Sequence, residues 1–217
     1  MEKKDNYNYT HFRKKFANTE HFAGPKINHK APDFEARTLD DKTVRLSDYF
    51  DKHVVLSCGS ITCPAYISKI NAMNKLQEQF TDCHFLLLYT RETHPGSHIP
   101  PHKLFVDKLK QAKHLRRLEK EKRTIIVDDI NGTAHLRYGG LPNFCYVINK
   151  NGEVYYRDAS EIPVRIEAVL KQLQKQPDHL TADEIDRLSN KFHTPFFTTF
   201  RVMHRAGMRS LFDLWRS

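Results

Sequence analysis

The strongest constraint on the fold is a change of periodicity at Pro64. Upstream, His53-Val54-Val55-Leu56-Ser57-Cys58 is a short apolar run of strand length that ends at Gly59-Ser60. Downstream, Ile67, Ile70, Met73, Leu76 and Phe80 recur at steps of three or four, which is one face of a helix. Pro64 suits the first helical turn, where its missing N–H would have had no intrahelical partner. A strand that runs through a tight loop into a helix sets Cys63 at or beside the helix N-terminus. Backbone N–H groups and the helix dipole there favour an anion, so the thiol is expected to titrate low and to act as a nucleophile. Ser60 and Thr62 supply hydroxyls expected to hydrogen-bond a sulfur anion.

The rest of the chain extends this unit. His84-Phe85-Leu86-Leu87-Leu88-Tyr89 is apolar almost throughout and reads as a buried central strand. A loop over residues 90–101 leads to a basic helix, followed by a strand at Thr124 to Val127. Phe144 to Ile148 and Glu153 to Tyr156 flank Asn151-Gly152, a strong hairpin signal. Ile162, Ile166, Val169, Leu170 and Leu173 then mark an amphipathic helix. Before all this, Asp40-Asp41-Lys42 reads as a turn and Thr43 to Ser47 alternates like a strand. The order predicts an α/β thioredoxin-like fold, parallel in its first half and antiparallel in the hairpin. Three parts are expected: a polar, aromatic N-terminal arm over residues 1–24 with a short helix near Thr10 to Phe16, the domain over 25–176, and a helical extension over 177–217. In the extension, Thr181-Ala182-Asp183-Glu184 is a capping box opening a helix with Ile185, Leu188 and Phe192 on one side. Beyond it lies an aromatic and basic stretch from Phe196 to Trp215. Its apolar surface is expected to dock on the body or on a second copy as a homodimer, with a membrane surface as the other reading.

Composition narrows the setting. The 35 Lys and Arg exceed the 26 Asp and Glu by nine, but they are scattered and read as a solvated basic surface. The densest run, Lys108 to Arg123, holds eight Lys or Arg with leucines at helical spacing, as expected of a surface helix with a wet basic face. No nucleic-acid-binding signature accompanies it, so no nucleic acid partner is expected. No apolar window reaches membrane-spanning length, and the first residues lack a secretory pattern, so a cytoplasmic location is expected. Four cysteines, Cys58, Cys63, Cys83 and Cys145, are too few for a disulfide scaffold.

Two further elements surround Cys63. Gly139-Gly140-Leu141-Pro142-Asn143-Phe144 sets a proline directly before a strand. In thioredoxin-fold proteins this is the cis-proline that lies against the reactive cysteine, so Pro142 is expected to be cis. Leu141, Pro142 and Pro64 are expected to meet the substrate. Tyr89-Thr90-Arg91-Glu92-Thr93-His94-Pro95-Gly96 follows the central strand at its C-terminal end, where sites form in open α/β sheets. His94, and His102 eight residues on, are candidates to hold the thiolate or deliver a proton. Cys63, His94 and His102 are suitable metal-ligand types, but thiol activation explains them with fewer assumptions, and no metal is expected. With no Cys-x-x-Cys present, Cys58, Cys145 or an external thiol must resolve an oxidised Cys63.

Gly59 to Pro64, Tyr89 to Gly96, His102, Asn131-Gly132-Thr133-Ala134-His135-Leu136-Arg137-Tyr138-Gly139 and Tyr146-Val147-Ile148 together resemble the iodothyronine deiodinase family in a bacterial-type form, over about Ala31 to Leu173. The resemblance implies that Cys63 stands where that family carries selenocysteine, and that His94 and His102 match its two functional histidines. It also implies reductive removal of iodine from an aromatic ring, with no bound cofactor and with an external thiol or thioredoxin-like protein as reductant. The sequence departs from the animal enzymes in three ways. Cys63 is sulfur, Ile61 replaces a second cysteine, and Leu141 to Phe144 replaces Phe-Glu-Arg. Ser60 to Pro64 also resembles the peroxiredoxin active loop, so peroxide reduction is the rival chemistry; a non-catalytic binding module is the third reading. Deleting residues 178–217 is expected to lower the melting temperature or dissociate an oligomer. An unchanged melting temperature and mass, with vesicle binding by the full chain alone, would assign the extension to a membrane surface.

Overall fold

Residues 7–19, 22–175 and 195–216 are described by a computed structural model. Seven strands form one sheet: β1 (Glu35–Thr38), β2 (Thr43–Arg45), β3 (His53–Gly59), β4 (Cys83–Tyr89), β5 (Thr124–Val127), β6 (Cys145–Ile148) and β7 (Val154–Asp158), in the order β2-β1-β5-β4-β3-β6-β7. The two longest apolar strands lie at the centre. β3 and β4 pair in parallel from His53 opposite Cys83 to Gly59 opposite Tyr89, and β5 continues the parallel set. β6 runs antiparallel to β3, with Ser57 opposite Cys145, and turns back through the Asn-Gly hairpin into β7. The sequence reading missed β1, which packs antiparallel on β5 and carries β2 on its outer edge. Four residues with little apolar alternation give almost no local signal.

The helices are α1 (Pro64–Ile67), α2 (Ile70–Gln79), α3 (Phe105–Glu119), α4 (Thr133–Arg137), α5 (Pro163–Lys175), α6 (Phe196–Ala206) and α7 (Met208–Arg216). The single helix expected from Pro64 to Phe80 is broken. The Ser68 hydroxyl donates to the Ala65 carbonyl at 3.0 Å, and the Lys69 N–H turns to Tyr66 three residues back. The break carries Lys69 into the interior, where it is 3% exposed.

Alternation along β4 divides the core. Leu86 and Leu88 face a cluster with Cys58, Phe144, Tyr138 and Tyr146. Phe85, Leu87 and Tyr89 face the helices, Phe85 with α2 and α5, Leu87 and Tyr89 with Cys63, Tyr66 and Leu115. The basic segment is a helix as expected, but its ends are not wet. Lys108 is fully buried, donating to the Asp129 carbonyl at 2.7 Å, and burial pushes its ammonium down to about 8. Arg123 is also fully buried. Its guanidinium donates to Glu121 at 2.7 Å and to Glu161 at 2.5 Å, while the Tyr66 hydroxyl donates to Glu121. Charge spacing in the sequence cannot distinguish a lysine facing water from one facing a buried carbonyl.

The capping box at Thr181, with Ile185, Leu188 and Phe192, lies outside the described residues. Beyond it, α6 docks on the body: Val202, Met203 and Ala206 are fully buried, and Val202 joins the cluster around Cys63. The Ala206 carbonyl accepts from His98 N–H at 3.0 Å and Ile99 N–H at 3.3 Å. A side chain at Gly96 would collide with that carbonyl, which fixes glycine there. Phe196, Phe197, Phe200 and Phe212 remain exposed, so docking buries only part of the apolar surface. No helix among the described residues is long and apolar enough to cross a membrane.

Replacing Arg123 with Met leaves Glu121 and Glu161 buried without that counter-charge, with Lys69 beside Glu161. Loss of a buried partner is expected to cost about 3–5 kcal/mol in urea unfolding. The deficit should shrink as pH falls, because the stranded Glu121 carboxylate, no longer held down by Arg123, then binds protons more tightly in the native state than in the unfolded chain.

Candidate active site

The β3–α1 turn places Cys63 at the N-cap of α1, with the Pro64 ring in the first helical turn. Gly59 ends β3 with the Tyr66 ring against it; a Cβ there would lie 2.4 Å from that ring. The turn therefore folds tightly over α1, and Cys63 is only 2% exposed. Burial pushes the Cys63 thiol up. The backbone N–H of Tyr66, the Thr93 side chain, the Lys69 charge and the Ala65 N–H pull it down without overtaking burial. The lowered thiol expected from the helix terminus is thus corrected: the terminus acts as foreseen, but desolvation is larger in this conformation.

Ser60 and Thr62 do not make the sulfur contacts expected of them. The Ser60 hydroxyl accepts from Thr93 N–H at 3.1 Å, and the Thr62 hydroxyl accepts from His94 N–H at 3.2 Å. They tie the Cys63 turn to the loop after β4, leaving Thr93 as the hydroxyl residue that serves the sulfur. At the centre of this junction is Glu92, 2% exposed, which the sequence reading did not single out. One carboxylate oxygen accepts from Thr62 N–H at 3.2 Å and Thr62 O–H at 2.6 Å. The other accepts from Tyr89 O–H at 2.5 Å and lies 3.0 Å from His102 Nε2. Burial opposes the charge on Glu92, but the hydrogen bond and charge of His102, with the bonds from Thr62 and Tyr89, outweigh it and hold the carboxyl below its ordinary range. Tyr89 also accepts from Ile61 N–H at 3.3 Å, so the apolar Ile61 contributes through its backbone. The only local signal for Glu92 was an acid three residues past a buried strand, which does not distinguish a surface loop from a buried hub.

His94 and His102 sit on this loop but do different things. His102 faces Glu92. His94 is buried, with Nδ1 unpartnered among the described residues, and burial alone pushes its imidazole down to about 3. It is neutral here, so in this conformation it is not a charged partner for a thiolate. Among the described residues no three His, Cys, Asp or Glu gather to hold a metal.

Pro142 lies against Cys63, whose thiol donates to the Pro142 carbonyl at 3.9 Å, but its peptide is trans; no cis bond occurs among the described residues. The expected cis-proline is corrected. The turn that presents Pro142 is secured instead by the Leu141 carbonyl, which accepts from Cys58 S–H at 3.1 Å and His135 Nε2–H at 2.8 Å. Since Nε2 donates, Nδ1 of His135 accepts from the Tyr7 hydroxyl at 2.9 Å. Cys58 also accepts from Phe144 N–H at 3.3 Å and faces the sheet side opposite Cys63. Cys145 faces the helix-covered side, fully buried, with the Ser57 hydroxyl at 3.8 Å. All four cysteines are free.

The N-terminal arm completes the enclosure. The Tyr9 hydroxyl donates to the Thr93 carbonyl at 2.8 Å, and the Phe12 ring lies 4.1 Å from the His94 ring. The Arg91 guanidinium sits over Tyr7, Tyr9 and Phe16. The expected short helix in the arm is one 3₁₀ turn, Lys14–Ala17.

A central parallel set extended by an antiparallel hairpin, with one cysteine at the strand–helix turn and a proline turn against it, defines a thioredoxin-like thiol protein. Solved structures share the fold. The thioredoxin domain of a thiol-disulfide oxidoreductase from Bacteroides vulgatus aligns with TM-score 0.53 at 13% identity over 70% of this chain and 98% of its own. Peroxidoxin BcpB from Mycobacterium tuberculosis aligns with TM-score 0.54 at 17% identity over 70% and 97%. The sequence profile of the iodothyronine deiodinase family matches residues 8–177, and the chain belongs to that family. Type I iodothyronine deiodinase of Xenopus laevis is 26% identical over 161 residues, 69% of this chain and 64% of that protein. The chain thus spans somewhat less than two thirds of that relative's length.

Acid should destabilise the protein through its buried neutral histidines. His94 and His135, both held at about 3, do not protonate in the native state until far below the ordinary histidine value of about 6.5. Between these limits the unfolded chain binds more protons, so stability falls as pH falls, by about 1.4 kcal/mol per unit for each histidine. Urea midpoints at pH 7, 6 and 5 measure the slope, and replacing His94 with Gln should remove one proton's share.

Proposed function

We propose that this chain is a thiol oxidoreductase that reductively dehalogenates iodinated aromatics, with Cys63 as its nucleophile. The observation that carries this reading is the junction of Cys63 with a buried acid network, in a chain of the deiodinase family: Thr62, adjacent to the nucleophile, donates to Glu92, which also binds Tyr89 and His102. Replacing a carbon–iodine bond with carbon–hydrogen requires a proton in a site that excludes water, and a hydrogen-bonded chain of donors beside the sulfur can supply it.

The chemistry balances with two equivalents of external thiol. The Cys63 thiolate attacks iodine, the carbon–iodine bond breaks, and the ring carbon takes a proton, leaving Cys63 as a sulfenyl iodide. A first thiol displaces iodide and releases a proton, forming a mixed disulfide. A second thiol breaks that disulfide, regenerating Cys63 and leaving the external pair oxidised. Pro142 offers its carbonyl beside the sulfur, and Pro64 and Leu141 support the turns on either side. Cys145 faces the same side of the sheet as Cys63, whereas Cys58 faces the other, which favours Cys145 if an internal thiol resolves the intermediate.

The test measures iodide release and deiodinated product from iodinated phenols with dithiothreitol, beside hydrogen peroxide consumption under the same conditions. Cys63→Ser is expected to reduce iodide release to background. Replacing His94 or His102 with Ala is expected to lower turnover by about 10²–10⁴, the usual contribution of a positioned acid or base. Cys63-dependent peroxide consumption without iodide release would establish the peroxidase reading instead. An inert Cys63 in both assays would leave a binding module.

A further inference from the structure

Cys63 and His94 are 2% and 7% exposed, so in this conformation a substrate ring has no way in. The cover over His94 is specific. The Phe12 ring lies against the imidazole with centroids 4.1 Å apart and planes at 42°. On the N-terminal side of Phe12 the arm is anchored. Tyr9 is buried and bonded to the Thr93 carbonyl, Tyr7 bonds His135, and the Asn8 amide donates to the Ile130 carbonyl at 2.8 Å. Around Phe12 the hold is weaker: Thr10, His11 and Arg13 are exposed, and Phe12 is half-buried. His11 makes one exposed ion pair with Asp213 at 3.0 Å, a kind of contact that contributes little. The arm is therefore fixed at Tyr7 to Tyr9 and lightly held where Phe12 enters.

A buried imidazole with a ring already seated on it is a face on which an aromatic ring stacks well. Cys63 belongs to the same enclosure, since the hydroxyl of the adjacent Thr62 accepts from His94 N–H at 3.2 Å and the Tyr9 hydroxyl donates to the Thr93 carbonyl at 2.8 Å. We infer that Phe12 is a self-supplied aromatic ring occupying the place where the substrate's ring rests on His94, and that the segment around Phe12 must swing out before an aryl substrate can reach Cys63. This inference rests on the reading of the site as one for iodinated aromatics, and it makes Phe12 a gate that competes with substrate rather than a catalytic residue.

The experiment uses the full chain and two readouts: the rate at which iodoacetamide alkylates Cys63, followed by peptide mass mapping, and the protection given by phenol, which binds as a ring but cannot turn over. Phe12→Ala is expected to raise the Cys63 alkylation rate at least tenfold and to lower the phenol concentration giving half protection by a similar factor. Phe12→Trp should keep the site closed, and Phe12→Leu, which preserves apolar bulk, reports on opening should the Ala variant unfold. Equal alkylation rates in wild type and both the Ala and Leu variants would overturn the inference. So would opening by Val202→Ala alone, which would place entry on the α6 side. If phenol protects Cys63 more strongly in Phe12→Ala but no variant releases iodide, the dehalogenation reading fails while Phe12's occupancy of an aryl position stands.

Discussion

The arrangement depends on one buried charge. Glu92 is held ionised almost out of contact with water, a state that persists only where hydrogen bonds replace hydration. Those donors come from three segments: Thr62 from the β3–α1 turn, Tyr89 from the end of β4, and His102 from the approach to α3. Satisfying the carboxylate fixes these segments relative to one another, and the Ser60–Thr93 and Thr62–His94 bonds follow from that placement. Had Glu92 faced water, the loop after β4 would have had little reason to lie against the Cys63 turn.

The same enclosure sets the reactivity of the thiol. Two effects oppose each other at Cys63: the N-terminus of α1 and the Lys69 charge favour the anion, while desolvation favours the thiol, and desolvation is the larger. The site as described is therefore closed and quiet. Solvent or a polar substrate group entering would relieve the desolvation while the helix terminus, Thr93 and Lys69 remained in place. Under the proposed function, reactivity and access would then be controlled by one event.

Both ends of the described chain contribute to that enclosure. The arm covers His94 through Phe12, and α6 sends Val202 into the apolar cluster that includes Cys63 while accepting the loop's N–H groups at Ala206. Arg201 and Arg205 pair with Glu119 of α3 and fix the orientation of α6. His11 and Asp213 link the two covers at the surface. Segments without strong periodicity thereby become part of the site.

The sequence alone determined the central strands, the helical stretch following Cys63, the Asn-Gly hairpin and the position of Cys63 at a helix terminus. Each is a local signal: a continuous apolar run, a period of 3.6, a turn dipeptide, a proline in a first helical turn. It also put His94 and His102 on the loop after the central strand, because sites in such sheets gather at the carboxyl ends of the strands, while Pro142 was set against Cys63 by its likeness to the proline of thioredoxin-fold proteins. Tertiary structure decided what local patterns do not encode. It buried Lys108 and Arg123 by setting carbonyls and carboxylates opposite them, broke the first helix at Ser68, and kept Pro142 trans in a turn secured by Cys58 and His135. It turned Ser60 and Thr62 from the sulfur toward the neighbouring loop, made Glu92 the hub, and raised the Cys63 thiol when sequence position alone argued for lowering it. The physical reason is common to all of these: desolvation and hydrogen-bond partners are supplied by residues tens of positions away, so a side chain's charge state is a property of the packed molecule.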